Sequence, residues 1–121
     1  ILNSLTFYNM YSNSDNVKGV EDYSSTNTMD IYILSKLKIF ADDFKKDMDS
    51  FNTINPCKIT IDFIDTLNNW YIRRTKSRFW KKEKDTDKQQ AYNTLYTVLI
   101  NFAKITSSIL PHTSEYIFQS M

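Results

Sequence analysis

The chain has 121 residues, of which 41% are hydrophobic and 15% aromatic, so it can build one hydrophobic core. A single glycine excludes glycine-rich phosphate-binding loops, and one cysteine with one histidine excludes an internal disulfide and a zinc-ligand set. The formal net charge is only +1, but residues 1–69 carry six basic against ten acidic side chains, whereas residues 70–121 carry nine against four. Because nucleic-acid-binding surfaces are local rather than global features, the basic excess of the second half is more informative than the net charge.

The first half predicts two helices separated by a polar segment. Leu5 and Tyr8 lie on one side of a short helix formed by SLTFYNMYS, and residues 12–29 are rich in Ser and Asn and predict a loop. Asp30 can cap the next helix. Apolar residues then recur at three- and four-residue steps, which predicts a helix of about six turns; they are Leu34, Leu37, Ala41, Phe44, Met48 and Phe51.

The second half continues the helical pattern. A segment from Cys57 to about Lys82 has Ile64, Leu67 and Tyr71 on one face. Asp87 can cap a further helix, whose apolar face is Ala91, Leu95, Val98, Leu99, Phe102, Ala103, Thr106 and Ile109. Pro111 interrupts it, and residues 114–121 begin another amphipathic turn. Because strand-like alternation does not persist anywhere, the sequence predicts an all-α domain over 1–121, an antiparallel bundle with short connections.

Residues 69–82, NWYIRRTKSRFWKK, combine cations and aromatic rings. At 100° per residue, Arg74 and Arg78 continue the buried stripe of Leu67, whereas Arg73, Lys76 and Trp80 face outward. A Trp left outside beside two cations indicates that a partner covers it. Nucleic acid suits such a surface, because phosphates bind the cations and an unpaired base can stack on the ring.

Other interpretations of this stretch stay open. Basic residues complement the C-terminal dipole of a helix and are often merely solvated, and the two arginines on the buried stripe could pair with Asp42, Asp43 or Asp47. The outward face could instead dock another protein domain. A helix-turn-helix DNA-binding protein fits poorly, since the third helix is long and its turn lacks glycine.

The sequence shows no catalytic constellation. His112 follows Pro111 and is expected at a helix start rather than in a metal site. Cys57 has no histidine partner, and Asp62 with Asp65 lacks any sign of a cleft. No run of eighteen apolar residues predicts a membrane span, and one free cysteine fits a cytoplasmic protein.

Five stretches resemble one protein family. NNWYIRRTKSRFW (68–80) is similar to the motif NWY-[IV]-RR-x-[RK]-x-RFW, and DIYILSKL (30–37) is similar to D-x-W-I-L-S-x-L. Residues 87–105, 111–121 and 5–12 are similar to three further motifs that occur in the same family as these two. These are the motifs of the anticodon-binding domain of isoleucyl-tRNA synthetases, and the resemblance covers essentially the whole chain. Valyl enzymes share the second motif, but their tryptophan motif does not continue as RR-x-x-x-RFW.

The resemblance implies a function that composition does not. The full enzyme would be a class I ligase that uses ATP with magnesium to join isoleucine to its tRNA, and its catalytic and editing domains would lie in other parts of a longer chain. This piece would hold no cofactor and no catalytic site, and would contact the anticodon stem-loop of the isoleucine tRNA and the enzyme's own catalytic domain. The predicted RNA-binding residues are Arg73, Arg74, Lys76, Arg78, Trp80 and Lys81.

The chain departs from the family pattern at several positions. Tyr32 replaces the usual Trp, and polar residues follow Ser12 where relatives have an apolar turn, so the first helix is expected to be short. Ser107, Ser108 and His112 also differ, which affects the expected start of the last helix.

Overall fold

The computed structural model describes residues 1–52, 54–80 and 86–121. These residues form six α-helices and one π-helical segment and contain no β-strand, so the all-α prediction is confirmed. The elements are α1 (Leu2–Asp15), α2 (Thr28–Asp49), α3 (Ile54–Asp65), the π segment (Thr66–Ile72), α4 (Arg73–Trp80), α5 (Thr86–Thr106) and α6 (Pro111–Ser120).

Helix α1 is longer than the sequence indicated, since it continues to Asp15. Leu5 and Tyr8 are buried, as predicted. The helix ends where Asn16 adopts the left-handed conformation (φ 54°), which lets the Val17 amide donate to the Ser12 carbonyl at 3.0 Å. Asn tolerates this conformation better than most residues. Residues 12–15 therefore form the last turn of α1 rather than part of a loop.

Residues 17–27 form an extended strap across α5. The Gly19 amide donates to the Tyr8 hydroxyl at 2.9 Å, and the Asp22 amide donates to Thr97 Oγ1 at 2.8 Å. The strap approaches α5 so closely that a Cβ on Gly19 would lie 2.6 Å from the Tyr92 carbonyl oxygen. The chain's one glycine is therefore explained by close approach of two backbones.

Helix α2 begins one turn earlier than predicted. Asn27 caps it by accepting from the Met29 amide at 2.9 Å, so the prediction of Asp30 as the cap is wrong. The buried face comprises Ile33, Leu37, Phe40 and Phe44. It is shifted from the predicted stripe because α2 packs against both α3 and α5, which buries a wider sector than one stripe.

Phe51, counted in the stripe of α2, lies beyond the helix and is 91% exposed. Phe51 adopts a positive φ of 58° directly after Ser50, the residue that caps α2. The Asn52 amide then donates to the Asp47 carbonyl at 2.9 Å, which closes the end of α2 in the arrangement usually built with glycine. The chain then reverses into α3, whose first amides donate to Asn52 Oδ1.

The core lies around α5, which packs against α1, α2, α4 and α6. Its predicted apolar residues are buried from Ala91 to Thr106, while Ile109 lies beyond the helix and is half-buried. Phe40, Phe63 and Phe102 stack with centroid distances of 4.9 to 6.1 Å and join α2, α3 and α5. Helix α6 starts at Pro111 and buries Ile117, and His112 lies exposed in its first turn as expected.

Candidate nucleic-acid interface

The sequence NWY lies in the π segment, which the sequence-based helix did not predict. A π turn holds about one residue more than an α turn, so every side chain after it is rotated relative to a continuous α-helix. Leu67, Tyr71 and Ile72 are buried along the segment. The inward position that follows is taken by Thr75, and Arg74 points to solvent.

The orientation of the other α4 residues agrees with the prediction. Arg73, Lys76 and Trp80 are exposed, and Phe79 is buried against α1 and α5 through edge contacts with Phe7 (5.1 Å) and Tyr92 (5.0 Å). The expectation that Arg74 continues the buried stripe was wrong, because the extra residue of the π turn carries it outward. The structure therefore brings three cations and one Trp to the surface of a short helix.

Arg78 is separated from that surface. Its guanidinium donates to both carboxylate oxygens of Asp30, at 2.6 and 2.9 Å, and to the carboxylate of Asp87 at 3.2 Å. Arg78 is 7% exposed and Asp30 is fully buried. Asp42, Asp43 and Asp47, the acids suggested by the sequence, are not its partners among the described residues. The burial of Arg78 argues against a direct contact with RNA.

The pair is embedded in a network. The Tyr71 hydroxyl donates to Asp30 at 2.7 Å, and Ser25 donates to the other carboxylate oxygen at 2.6 Å. Burial, and next the charge of Asp30, raise the pKa of Tyr71 well above its usual value. Burial alone would lower the pKa of Arg78, but its bonds to Asp30 raise it instead. The network joins the start of α2, the π segment, α4 and the start of α5.

The exposed cations of α4, which are Arg73, Arg74 and Lys76, form no ion pair with any acid among residues 1–52, 54–80 and 86–121. Trp80 is 60% exposed, and its indole N–H donates to the Tyr11 hydroxyl at 2.5 Å, which orients the ring from α1. We call these four residues of α4 the basic face. Lys81, also predicted as an RNA-binding residue, lies outside the described residues.

The basic face borders an open groove of about 590 Å³ between α1 and the rod formed by α3, the π segment and α4. Arg73 and Lys76 line it together with Asn3, Asn68 and Asn69. One acid, Asp65, also lines it and accepts from the Asn69 side-chain amide. Ile61, which is 66% exposed, contributes apolar surface. The groove offers amide and cationic donors around a partly apolar floor, a combination suited to phosphate and sugar contacts.

Two further findings concern metal binding and membrane insertion. In the part of the chain that the structure describes, no three His, Cys, Asp or Glu side chains are grouped so that they could hold a metal ion. None of the described helices has the length and apolar character needed to cross a membrane.

Sequence reasoning missed two features of this region. Asp30 and Asp87 were interpreted as helix caps, and their shared role as partners of Arg78 depends on contacts 48 and 9 residues away in sequence. The contact between Tyr32 of α2 and Trp70 of the π segment, with centroids 4.0 Å apart, was also not predicted. Both aromatic residues were visible in the sequence, but only the packing of α2 on the π segment brings them together.

Comparison with known proteins identifies the class. Residues 30–121 match the family model of the anticodon-binding domain of tRNA ligase. The chain therefore belongs to this family of tRNA ligase domains. The match includes α2, the π segment and α4, so the elements that build the basic face lie inside it.

The particular relatives are isoleucine–tRNA ligases, which confirms the resemblance found in the sequence. The chain is 50% identical over 118 residues to the isoleucine–tRNA ligase of Rickettsia bellii (strain OSU 85-389), and 47% identical over 121 residues to that of Rickettsia africae (strain ESF-5). That of Rickettsia canadensis (strain McKiel) is 49% identical over 118 residues. These alignments cover 98 to 100% of this chain but only 11% of each relative. The chain thus spans about a tenth of the length of these relatives.

Proposed function

We propose that this domain binds the anticodon stem-loop of an isoleucine tRNA through the basic face. The observation that carries the proposal is the set of three exposed cations beside an exposed Trp, none of them ion-paired with a described acid. A cluster of exposed cations on one face is the electrostatic footprint expected of a surface that binds a polyanion. Arg78 takes no part as a contact; it holds α4 against α2 and α5.

The contacts divide by chemistry. Arg73 and Lys76, at the rim of the groove, bind phosphate oxygens and fix the position of the RNA, which carries little sequence information. Trp80 offers a ring on which an unpaired base of the loop stacks. The domain therefore acts by positioning, since a correctly held substrate reacts faster at a distant site.

The remaining steps belong to the longer enzyme. By analogy with its relatives, that enzyme uses ATP with magnesium to activate isoleucine and esterify it to the tRNA, and its catalytic domain is the second partner of this piece. Neither cofactor is assigned to the described residues. A cytoplasmic location remains a prediction.

Fluorescence anisotropy of the 121-residue chain with an isoleucine tRNA and with an unrelated tRNA, over a salt series, tests the proposal. Arg73→Glu and Lys76→Glu are each expected to weaken binding at least tenfold. The logarithm of the association constant should also fall less steeply with the logarithm of salt concentration than it does for the wild type. Lys45→Glu, a charge reversal at an exposed lysine of α2, is the matched control and leaves binding unchanged. Circular dichroism of each variant shows whether the helices are intact.

The same experiment addresses the competing function. If both charge reversals on α4 leave RNA affinity at the wild-type value, the basic face does not bind RNA. The exposed surface of Trp80 and Ile61 is then a docking surface for another domain. A preference for the isoleucine tRNA that is lost in Trp80→Ala would assign part of the recognition to base stacking.

A further inference from the structure

A row of alternating cations and rings lies on the surface formed by α2, the π segment and α4. Lys36 Nζ lies 5.5 Å from the ring centroid of Tyr32, Tyr32 lies 4.0 Å from Trp70, and the Arg74 guanidinium lies 5.2 Å from Trp70. We call these four residues the cation–ring row. The two rings are tilted by 38° to each other, and at a centroid distance of 4.0 Å they leave no space for a base between them. Lys36 lies over the Tyr32 ring and Arg74 over the Trp70 ring, so each ring of the row has its own cation.

The row orders its cations without neutralising them. Neither Lys36 nor Arg74 forms an ion pair with a described residue. The described ion pairs elsewhere differ: Arg78, Lys88 and Lys104 each contact a carboxylate. A ring attracts a cation through its quadrupole but carries no net charge, so the charge remains available to a ligand. The side chain is also partly ordered before binding, which reduces the entropy lost when a ligand arrives.

We propose that the cation–ring row is a second RNA-backbone site, which binds phosphates of the tRNA through Lys36 and Arg74. The inference rests on the proposed function and extends it from α4 onto α2. Phosphates are favoured over bases because each ring already contacts the other ring and a cation, which leaves little ring surface on which a base could stack. Two cations over two different rings suit two separate phosphates rather than one.

The π segment makes the row continuous with the basic face. Without its extra residue, Arg74 would turn toward the buried stripe; with it, Arg74 lies beside Arg73 on the surface. The positive surface therefore extends from Lys76 and Arg73 through Arg74 to Lys36. An acidic protein partner could also contact such cations, and the experiment separates the two cases because only RNA binding is measured.

Salt-dependent anisotropy with the isoleucine tRNA tests the row by removing one charge at a time. Lys36→Gln and Arg74→Gln are each expected to weaken binding three- to tenfold and to reduce the steepness of the salt dependence by about one phosphate contact. Lys45→Gln is the matched control: Lys45 is exposed on α2 and, nine residues from Lys36, lies on the opposite side of the helix. Its affinity and salt dependence are expected to equal those of the wild type.

The role of the rings is tested separately. Tyr32→Ala removes the ring beneath Lys36 and is expected to weaken binding two- to fivefold, while Tyr32→Phe keeps the ring and restores the affinity. If Tyr32→Ala and Tyr32→Phe bind equally, the ring does not position Lys36 and this part of the inference is overturned.

Failure of the row and failure of the proposed function give different results. If Arg73→Glu weakens binding but Lys36→Gln and Arg74→Gln have the salt dependence of the wild type, the row is not an RNA site, and the phosphate contacts of the basic face are reduced to Arg73 and Lys76. If Arg73→Glu and Lys76→Glu also have no effect, the proposed function falls, and the row falls with it.

Discussion

The guanidinium of Arg78 donates two hydrogen bonds to the fully buried carboxylate of Asp30, 48 residues earlier in the chain. This pair joins α4 to the start of α2, and Tyr71 from the π segment donates to the same carboxylate. The basic face is presented by a helix of eight residues, too short to be stable without tertiary contacts. Arg78 therefore determines where Arg73, Arg74 and Lys76 lie, although it is itself buried.

Arg78→Met is expected to lower the free energy of unfolding by about 3 kcal/mol, because it leaves Asp30 charged, buried and without its cation. Urea unfolding followed by circular dichroism measures the change. Arg73→Met is the control, with an expected change below about 0.5 kcal/mol, since that side chain is exposed. Arg78→Lys should fall between the two, because an ammonium group cannot reproduce the paired bonds of a guanidinium. Equal stabilities of Arg78→Met and Arg73→Met would contradict this account.

Phe51 is predicted to reduce stability in its present position. A side chain with Cβ in the left-handed conformation costs about 1–2 kcal/mol, and the ring recovers little by burial because it is 91% exposed. Phe51→Gly removes the strain but increases the entropy of the unfolded chain, a loss of about 0.4–1 kcal/mol. A net gain of about 0.5 kcal/mol is expected.

Two further substitutions at this position separate strain from loss of the ring. Phe51→Ala keeps the strain and should leave the midpoint of urea unfolding near that of the wild type. Phe51→Asn should raise the midpoint, since Asn16 adopts the same conformation at the end of α1. If Phe51→Ala stabilises the domain as much as Phe51→Gly, the strain argument fails.

Gly19→Ala is expected to loosen the strap from α5. The new methyl group would lie 2.6 Å from the Tyr92 carbonyl oxygen and 2.7 Å from Tyr96 Cβ, and helix backbone cannot yield without breaking its own bonds. We expect a loss of about 1–3 kcal/mol, as for overpacking of a core. Hydrogen exchange of the Val20 and Asp22 amides, which donate to Asn93 and Thr97, should accelerate.

Val20→Ala provides the comparison for the strap, because Val20 is its neighbour and is 58% exposed. That variant should keep slow exchange at the Asp22 amide. Unchanged protection of both amides in Gly19→Ala would mean that the strap shifts without leaving α5.

The sequence predicted the parts of the fold that depend on local periodicity. The apolar repeat of α5 from Ala91 to Thr106 is confirmed because that helix is surrounded on most sides and its pattern is unambiguous. The outward orientation of Arg73, Lys76 and Trp80 was predicted from the same periodicity. All three side chains are exposed in the structure, although the π turn rotates α4 relative to a continuous α-helix.

Nonlocal contacts explain what the sequence did not predict. The π segment follows from how Leu67, Tyr71 and Ile72 fit into the core, which no local pattern encodes, so the exposure of Arg74 was missed. The burial of Asp30 is explained by a cation 48 residues away, whereas an Asp at a helix start ordinarily indicates a cap. The RNA-binding roles of the α4 cations and of Trp80 stay predictions.

Alkaline pH is expected to destabilise the domain through its buried tyrosines, two of which donate to carboxylates. Tyr71 donates to Asp30 at 2.7 Å, and Tyr92 donates to Asp15 at 2.5 Å. Burial, followed by the neighbouring carboxylate, raises both pKa values above the usual 10.0. A group whose pKa is higher in the folded state than in the unfolded state stabilises the fold below the unfolded value and loses that contribution as pH rises above it.

The contribution of these tyrosines to the free energy of unfolding should therefore be constant up to about pH 9 and fall above about pH 10. The slope approaches about 1.4 kcal/mol per pH unit for each tyrosine that ionises only when the chain unfolds. Urea titrations between pH 8 and 11.5 measure it. Tyr71→Phe and Tyr92→Phe each lose a hydrogen bond and start from lower stability at pH 8, but each should show a shallower decline. If a variant that carries both Tyr71→Phe and Tyr92→Phe loses stability with pH as steeply as the wild type, other groups cause the alkaline sensitivity.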